Sequence, residues 1–261
     1  MTLQVSLGVD EGGRDAPNGI ASLYRGRGAA LYHSIVRGDR SELREILHAV
    51  GREAGRVLEL AAGSGRITLP LLRFADEVVA VDNSPELLDI LVREAKMSRS
   101  ATSPNRLTAM LGDVLTVSLE GSFDVVVLGT TSISLFDEDQ RRRLLTAVRD
   151  WLSPDGIFVI SLRTVPLPAG GEAVHRVSEN LRLVETVSED GRRLTANLVE
   201  TANDEPVGEY SVSTFVITSD ELLAELAAVG LTVVSRSEVG SGSQTSEVGD
   251  YCVMVMKGSR V

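Results

Sequence analysis

Cysteine is almost missing: the chain holds one, Cys252, so neither an internal disulfide nor a multi-cysteine metal site can form. That residue lies in the apolar alternation YCVMVMK and reads as a buried strand position. Histidine is scarce too, with three copies, and no His/Asp/Glu cluster shows ligand spacing, so no metal is expected. Cations are in the minority, 26 Lys+Arg against 37 Asp+Glu, leaving a net charge of −11. Such a surplus argues against nucleic-acid binding, which needs cationic groups to displace counterions from phosphate. It is compatible with a cationic substrate, while the plainer reading is that the acidity aids solubility. No apolar run approaches the ~18 residues of a membrane span, and the opening MTLQVSLGVDEGGRD lacks the basic region and long apolar core of a signal peptide. No membrane partner and a cytoplasmic location are therefore expected.

What is present is ordinary for a globular chain: 261 residues, 43% hydrophobic and 24% charged, with no internal repeat. Single α/β domains reach ~250 residues, so one domain with an embellishment is expected. From residue 56 onward, strand-like runs alternate with helical patterns, as a parallel sheet with crossover helices requires. The strand candidates are RVLEL (56–60), EVVAVD (77–82), LTAML (107–111), FDVVVLG (123–129) and GIFVISLR (156–163). Between them, Ser84-Pro85-Glu86 supplies a cap, a first-turn proline and an early acid for one helix. DEDQRRRLLTAVRDWL (137–152) forms another, stopped by SPDG.

Upstream, ASLYRGRGAALYHSIV and DRSELREILHAVGRE read as short helices, the second with Asp39 and Glu42 at capping-box spacing. Downstream, LRLVETVSED, a Gly191 turn, RRLTANLVET, a polar ANDEPVGE turn and YSVSTFVI read as an antiparallel insert. A last helix (219–229, capped by Ser219 and stopped by Gly230), the strand LTVVSRS, a flexible GSGSQTSEVG and the strand DYCVMVMK finish the chain. The expected organisation is a helical cap over 1–55, a ligand-binding core over 56–163, an antiparallel lid over 164–218, and a final helix with two core strands over 219–261.

The chemistry concentrates in VLELAAGSGRITLPLL (57–72). A strand entering a glycine turn and then a helix leaves unpaired N–H groups at the helix start, where a nucleotide-like ligand can lie. Glycine accepts positive φ there and presents no side chain to the ligand. A dinucleotide fold would want a third glycine at position 68, where Thr68 stands. Asp82 ends the second strand, nineteen positions after Gly63, where a carboxylate can accept both hydroxyls of a ribose. Asp113 follows the third strand, within reach of an adenine amino group. Acids at successive strand ends suit a nucleoside better than a pyrophosphate.

On LELAAGSGR, VVAVDNS, MLGDV, FDVVVLGTTSISLF and LSPDGIFVIS, the sequence resembles the class I S-adenosylmethionine-dependent methyltransferases over roughly residues 20–257. The resemblance implies an α/β, Rossmann-like fold: a seven-stranded, mostly parallel sheet with helices on both faces, plus the antiparallel insert. It implies S-adenosyl-L-methionine as cofactor, S-adenosyl-L-homocysteine as product, and no metal. By that likeness Glu59 and the turn Ala61, Gly63, Ser64 and Gly65 hold the methionine moiety. Asp82 and Asn83 take the ribose, Gly112, Asp113 and Val114 the adenine, and Gly129 and Thr130 face the methyl. One departure is Ala61, where the family carries its first glycine; the added methyl narrows the bend.

Two further stretches bear on the acceptor. LYRGRGAALY (23–32) resembles the start of amino-sugar N,N-dimethyltransferases, whose N-terminal segment folds over the cofactor, implying Tyr24, Arg27 and Tyr32 as lid residues. Together with GTTSISL it most resembles the N-methyltransferases of daptide-type ribosomal peptide clusters, which implies dimethylation of a primary amine of a natural product. The small hydroxyl-bearing wall Gly129, Thr130, Thr131, Ser132 fits an aliphatic acceptor, and no acidic-Pro-Pro-aromatic motif for planar amides is present. Of groups near the reacting nitrogen, Tyr24 and Thr130 are candidates to accept its hydrogen bonds. His175 is the candidate base, with His33 or a tyrosinate as substitutes, while His48 reads as structural. The insert, with Glu172, His175, Glu179, Glu209 and Tyr210, reads as a substrate cover and equally as a homodimer surface. The competing readings are an O-methyltransferase using Arg163 to hold a carboxylate, an amino-sugar enzyme, and a non-enzymatic nucleoside binder.

Overall fold

The computed structural model describes residues 2–5, 21–52, 54–97, 106–164, 167–203, 205–239 and 250–258. Residues 6–20 and the Gly/Ser-rich run 240–249 lie outside the described residues, and with them most of the opening MTLQVSLGVDEGGRD and the stretch read as flexible.

The main sheet runs through β1 (Thr2–Val5), β3 (Ala54–Leu60), β4 (Ala75–Asp82), β5 (Leu107–Leu111), β6 (Phe123–Leu128), β7 (Leu152–Arg163), β12 (Leu231–Val239) and β13 (Tyr251–Gly258). Its order is β1-β5-β4-β3-β6-β7-β13-β12. Pairings from β1 through β7 are parallel, and β13 runs antiparallel to both of its neighbours. Seven of these strands are those expected. The eighth, β1, was not, because four residues without a following helix carry too little pattern to be read as a strand. The chain enters at β3, steps outward through β4 and β5, then returns to lay β6 against the other side of β3. That reversal is a topological switch point, outside whose strand ends ligands of open α/β sheets bind.

The strands read as continuous apolar runs because both faces are covered. In β3 and β6, Leu58, Leu60, Val126 and Leu128 enter one core with Leu144, Leu145 and Val148 of α5 (Glu138–Trp151) and Leu222 and Leu226 of α6 (Ser219–Ala228). The alternate residues Val57, Val125 and Val127 enter the other, with Ile46 of α2 (Leu43–Val50), Leu71 of α3 (Thr68–Leu71) and Leu88 and Leu91 of α4 (Pro85–Met97). Cys252 is buried in the first core.

Helix ends follow local chemistry with two corrections. Asp137 and Gln140 form a reciprocal capping box on α5, and Ser84 Oγ accepts from Leu87 N–H at 3.2 Å at the start of α4. For α6 the cap is Thr218, paired with Glu221, rather than Ser219. No capping box forms on α2: Asp39 accepts from Ser41, while Glu42 turns inward to Arg66.

The insert is a second sheet of five strands, β2 (Ala21–Ser22), β11 (Glu205–Phe215), β10 (Arg193–Ala202), β9 (Leu181–Val187) and β8 (Glu172–Ser178), in that order. Three of these were expected. β8 alternates between exposed and half-buried and shows no apolar stripe, and the two-residue β2 comes from the segment read as helix. α1 (Gly26–Val36) packs between this sheet and α4, with Ala29 against Leu87 and Ile90. Gly28 is needed at that crossing, since a Cβ there would stand 2.5 Å from Ser22 O and 2.9 Å from Tyr210.

Candidate active site

The carboxyl ends of β3, β4 and β5 meet in a cavity of about 330 Å³. Among its lining residues are Tyr24, Tyr32, Ala61, Gly63, Asp82, Asn83, Gly112, Asp113 and Val114, nine of the residues singled out from sequence. A smaller neighbouring cavity, sharing Tyr32, Ala61 and Gly63, is lined by Glu59, Ser64, Gly129 and Thr130. The two form one elongated slot across the switch point.

The bend that divides them is shaped by backbone. Ala61 adopts φ 52° and Gly63 φ 54°, so the alanine occupies a left-handed conformation at about 1 kcal/mol where glycine would carry no such cost. Gly65, at φ 90°, lines neither cavity; a Cβ on it would overlap Leu91 of α4. It packs the turn closely against that helix.

Asp82 sits at the end of β4, almost wholly buried. Its Oδ2 accepts Gly63 N–H at 2.7 Å and its Oδ1 accepts Ser84 N–H at 2.8 Å. Burial pushes its carboxyl above the usual carboxylate range, while those backbone N–H groups pull it back. A carboxylate offers about four lone-pair sites, so about two remain for a ligand's hydroxyls. Asp113, which lines the cavity, takes Leu115 N–H on Oδ1 at 2.8 Å. Glu59 is buried, with Thr68 Oγ1 donating to Oε2 at 2.5 Å. Loss of water drives its carboxyl up to about 8, so at neutral pH it is mostly an uncharged acid awaiting a cation. These donor and acceptor types fit an adenosine joined to an amino-acid tail: hydroxyl acceptors mid-slot, a carboxylate at the adenine end, an acid at the other.

Tyr24 and Tyr32 close the slot edge to face, ring centroids 5.1 Å apart. The N-terminal segment is fastened there by Ser84 Oγ donating to Tyr24 O at 2.6 Å and Gly26 N–H donating to Glu86 at 2.9 Å. Burial raises both phenols, Tyr32 to about 12, so neither supplies a tyrosinate near neutrality.

Four candidates from the sequence, Arg27, His175, Arg163 and Thr130, have partners within the protein. Arg27 lines neither cavity; it lies on the exposed side of α1 in a two-pronged pair with Glu200 of β10. His175 likewise lines neither cavity; its Nε2 is 3.4 Å from Glu185, whose carboxylate is already held on both oxygens by Arg163 at 2.9 and 2.8 Å. That pairing also removes Arg163 as a free carboxylate holder. Thr130 does reach the slot, but its Oγ1 accepts from Arg66 Nη2 at 2.6 Å, so the hydroxyl oxygen is committed within the protein. His33 borders a separate pocket, and His48 is exposed. Sequence reasoning missed Leu87, Leu115, Leu135, Phe136 and Gln140 in the wall, Arg66 in the lining of the smaller cavity and Glu42 behind it. Arg66 stood in plain view directly after the glycine turn, whereas Glu42 read as the acid of a capping box.

The fold is that of the class I, Rossmann-like methyltransferases. Residues 57–156 match the family model described as a methyltransferase domain. The chain is similar to the glycine/sarcosine N-methyltransferase of Parasynechococcus marenigrum (strain WH8102), 31% identical over 130 residues, 49% of this chain and 45% of that one. The chain thus spans about half the length of the curated relatives it matches. Among solved structures it is similar in fold to the CcbJ methyltransferase from Streptomyces caelestis (TM-score 0.76, 21% identity, covering 92% of this chain and 99% of that one). It also resembles the glycopeptide N-methyltransferase MtfA complexed with S-adenosyl-L-methionine (TM-score 0.61, 23% identity, covering 94% and 100%). Among the described residues, no group of three or more His, Cys, Asp or Glu is placed to hold a metal, and no helix is long and apolar enough to cross a membrane.

Proposed function

We propose that this protein transfers a methyl group from S-adenosyl-L-methionine to an amine. The observation that carries this reading is the single slot joining Glu59, Asp82 and Asp113 at three successive strand ends, with the glycine turn between them. In it Asp82 holds the ribose hydroxyls, Asp113 and Gly112 border the adenine with Val114, and Glu59 faces the amino-acid ammonium. Tyr24 and Tyr32 cover the slot. The cofactor supplies an electrophilic methyl on a sulfonium.

The protein's part is alignment: holding a neutral nitrogen about 3 Å from the methyl carbon contributes up to ~7–11 kcal/mol. The wall at Gly129, Thr130 and Ser132 is small enough for a nitrogen to turn and accept a second methyl. Among the described residues no tyrosinate or histidine lines the slot as a base, since burial keeps Tyr24 and Tyr32 protonated and His175 lies beside Glu185 instead. The amine therefore has to lose its proton to solvent as it is desolvated on entry. N-methylation is supported by the names of similar proteins, a glycine/sarcosine and a glycopeptide N-methyltransferase. The finer reading, a primary amine of a natural product such as the C-terminal amine of a daptide-type peptide, rests on LYRGRGAALYH and GTTSISL. An O-methyl acceptor anchored on Arg163 is disfavoured by the Arg163–Glu185 pair.

The test is incubation with methyl-labelled S-adenosylmethionine and a panel of primary amines, carboxylates and alcohols, read by mass spectrometry. Shifts of one or two methyl groups on amines alone are expected. Transfer to carboxylates or alcohols, or cofactor binding without transfer to any, would replace this reading with one of its rivals.

A further inference from the structure

The turn Gly129–Thr131, which follows β6 and forms one wall of the slot, is held in an unfavourable shape. Thr130 and Thr131 have φ of 58° and 60°. Adjacent β-branched residues in the left-handed region cost about 1–3 kcal/mol each and persist only where the surroundings over-determine them. Here they do. A Cβ on Gly129 would overlap Ile67 and come within 3.4 Å of Ile46 of α2, so the turn is wedged between two elements. Thr130 N–H donates to Glu42 Oε1 at 3.0 Å, and Arg66 Nη2 donates both to Thr130 Oγ1 at 2.6 Å and to Glu42 Oε1. Asp39 stands 3.7 Å from the other guanidinium nitrogen. Glu42 is fully buried and the Arg66 side chain is 6% exposed.

A buried pair like this adds little net stability, because desolvating two charges offsets most of their attraction. What it does add is geometry. Glu42 and Arg66 grip the main chain and the side chain of one residue, and they come from two different segments: the start of α2 and the end of the glycine turn. The strained turn therefore keeps its shape only while α2 is docked.

We propose that Glu42 and Arg66 are positioning residues for the transfer step: they lock the Gly129–Thr131 turn against the methionine end of the slot and make its shape depend on the docked N-terminal segment. This rests on reading the slot as a cofactor site. The two ideas fail differently in one experiment. The full chain is titrated calorimetrically with S-adenosylhomocysteine and with sinefungin, an analogue carrying an amine where the transferable methyl would be. The variants are Glu42→Gln, Arg66→Lys and Thr130→Val. Each is expected to keep homocysteine-analogue affinity within about 3-fold while weakening sinefungin about 10-fold or more, a misplaced wall being felt mainly at the methyl position. The double variant Glu42→Gln/Thr130→Val should be no weaker than its worse single, since both act through one turn.

Folded variants that lose both ligands equally, or neither, overturn the proposal. Should the buried-pair variants not fold, Thr130→Val, a half-exposed residue losing only its hydroxyl, decides alone by the same ratio. A wild-type protein that binds neither ligand sinks the cofactor reading and the proposal with it.

Discussion

Replacing Glu59 with glutamine separates the charge of this carboxyl from its shape. In the folded chain burial lifts Glu59 from an ordinary 4.5 to about 8. Folding thus keeps a proton on a group that the unfolded chain surrenders above pH 4.5, so the stability is fully present below that value and is lost as pH rises through 8. At about 1.4 kcal/mol per pH unit, the whole loss is about 5 kcal/mol, of which about 2 has been lost by pH 6 and nearly all by pH 9. Glutamine cannot ionise, and its amide oxygen still accepts from Thr68. Glu59→Gln should therefore gain on the parent by about 3 kcal/mol between pH 6 and pH 9, visible in urea unfolding curves at the two pH values. In melting temperature this is about 6–10 °C. Other titrating groups are common to both proteins and cancel. The same carboxyl should ionise when a ligand ammonium arrives, so cofactor binding at pH 7 should release about 0.9 proton from the parent and none from the variant. Calorimetry in buffers of different ionisation enthalpy measures this. A stability difference that is equal at pH 6 and pH 9 would refute the claim that a buried, neutral acid sits at this strand end.

Further expectations follow from the same geometry. Asp82→Ala removes the acceptors of Gly63 N–H in the glycine turn and of Ser84 N–H before α4, as well as the remaining acceptors for a ribose, and should weaken S-adenosylhomocysteine binding by well over 10-fold in titration calorimetry; unchanged affinity would remove the ribose assignment. Gly65→Ala combines a φ of 90° with overlap on fully buried Leu91 and should destabilise the fold by about 1–3 kcal/mol in urea unfolding, with little effect on ligand affinity per folded molecule. Arg27→Ala removes an exposed guanidinium paired mainly with half-buried Glu200, so both melting temperature and cofactor affinity should change little. A marked loss of affinity would return Arg27 to the lid.

Much of the core could be read in one dimension because its determinants are local. The runs that became β3, β4, β5 and β6 are predominantly apolar, and a strand covered on both faces needs no partner to be recognised as such. Asp82 and Asp113 were equally legible: each is an acid closing an apolar run, and the pattern of strand, turn and helix dictates that strand ends converge. The two edge strands β1 and β2 were not, being too short to show a period, and β8 was not, because its exposed face leaves no apolar stripe.

The sequence by itself determined the fold class, the bend at 61–65 and the acids that rim the slot, since backbone conformation and hydrophobic period are properties of a few consecutive residues. Only the tertiary structure decided which charges find each other. Arg27 pairs with Glu200, His175 and Arg163 with Glu185, and Arg66 with Glu42, across separations of 173, 10, 22 and 24 residues. Glu42 and Glu185 look locally like any other surface acid, and what distinguishes them is burial, a property that exists only once the chain has folded around them.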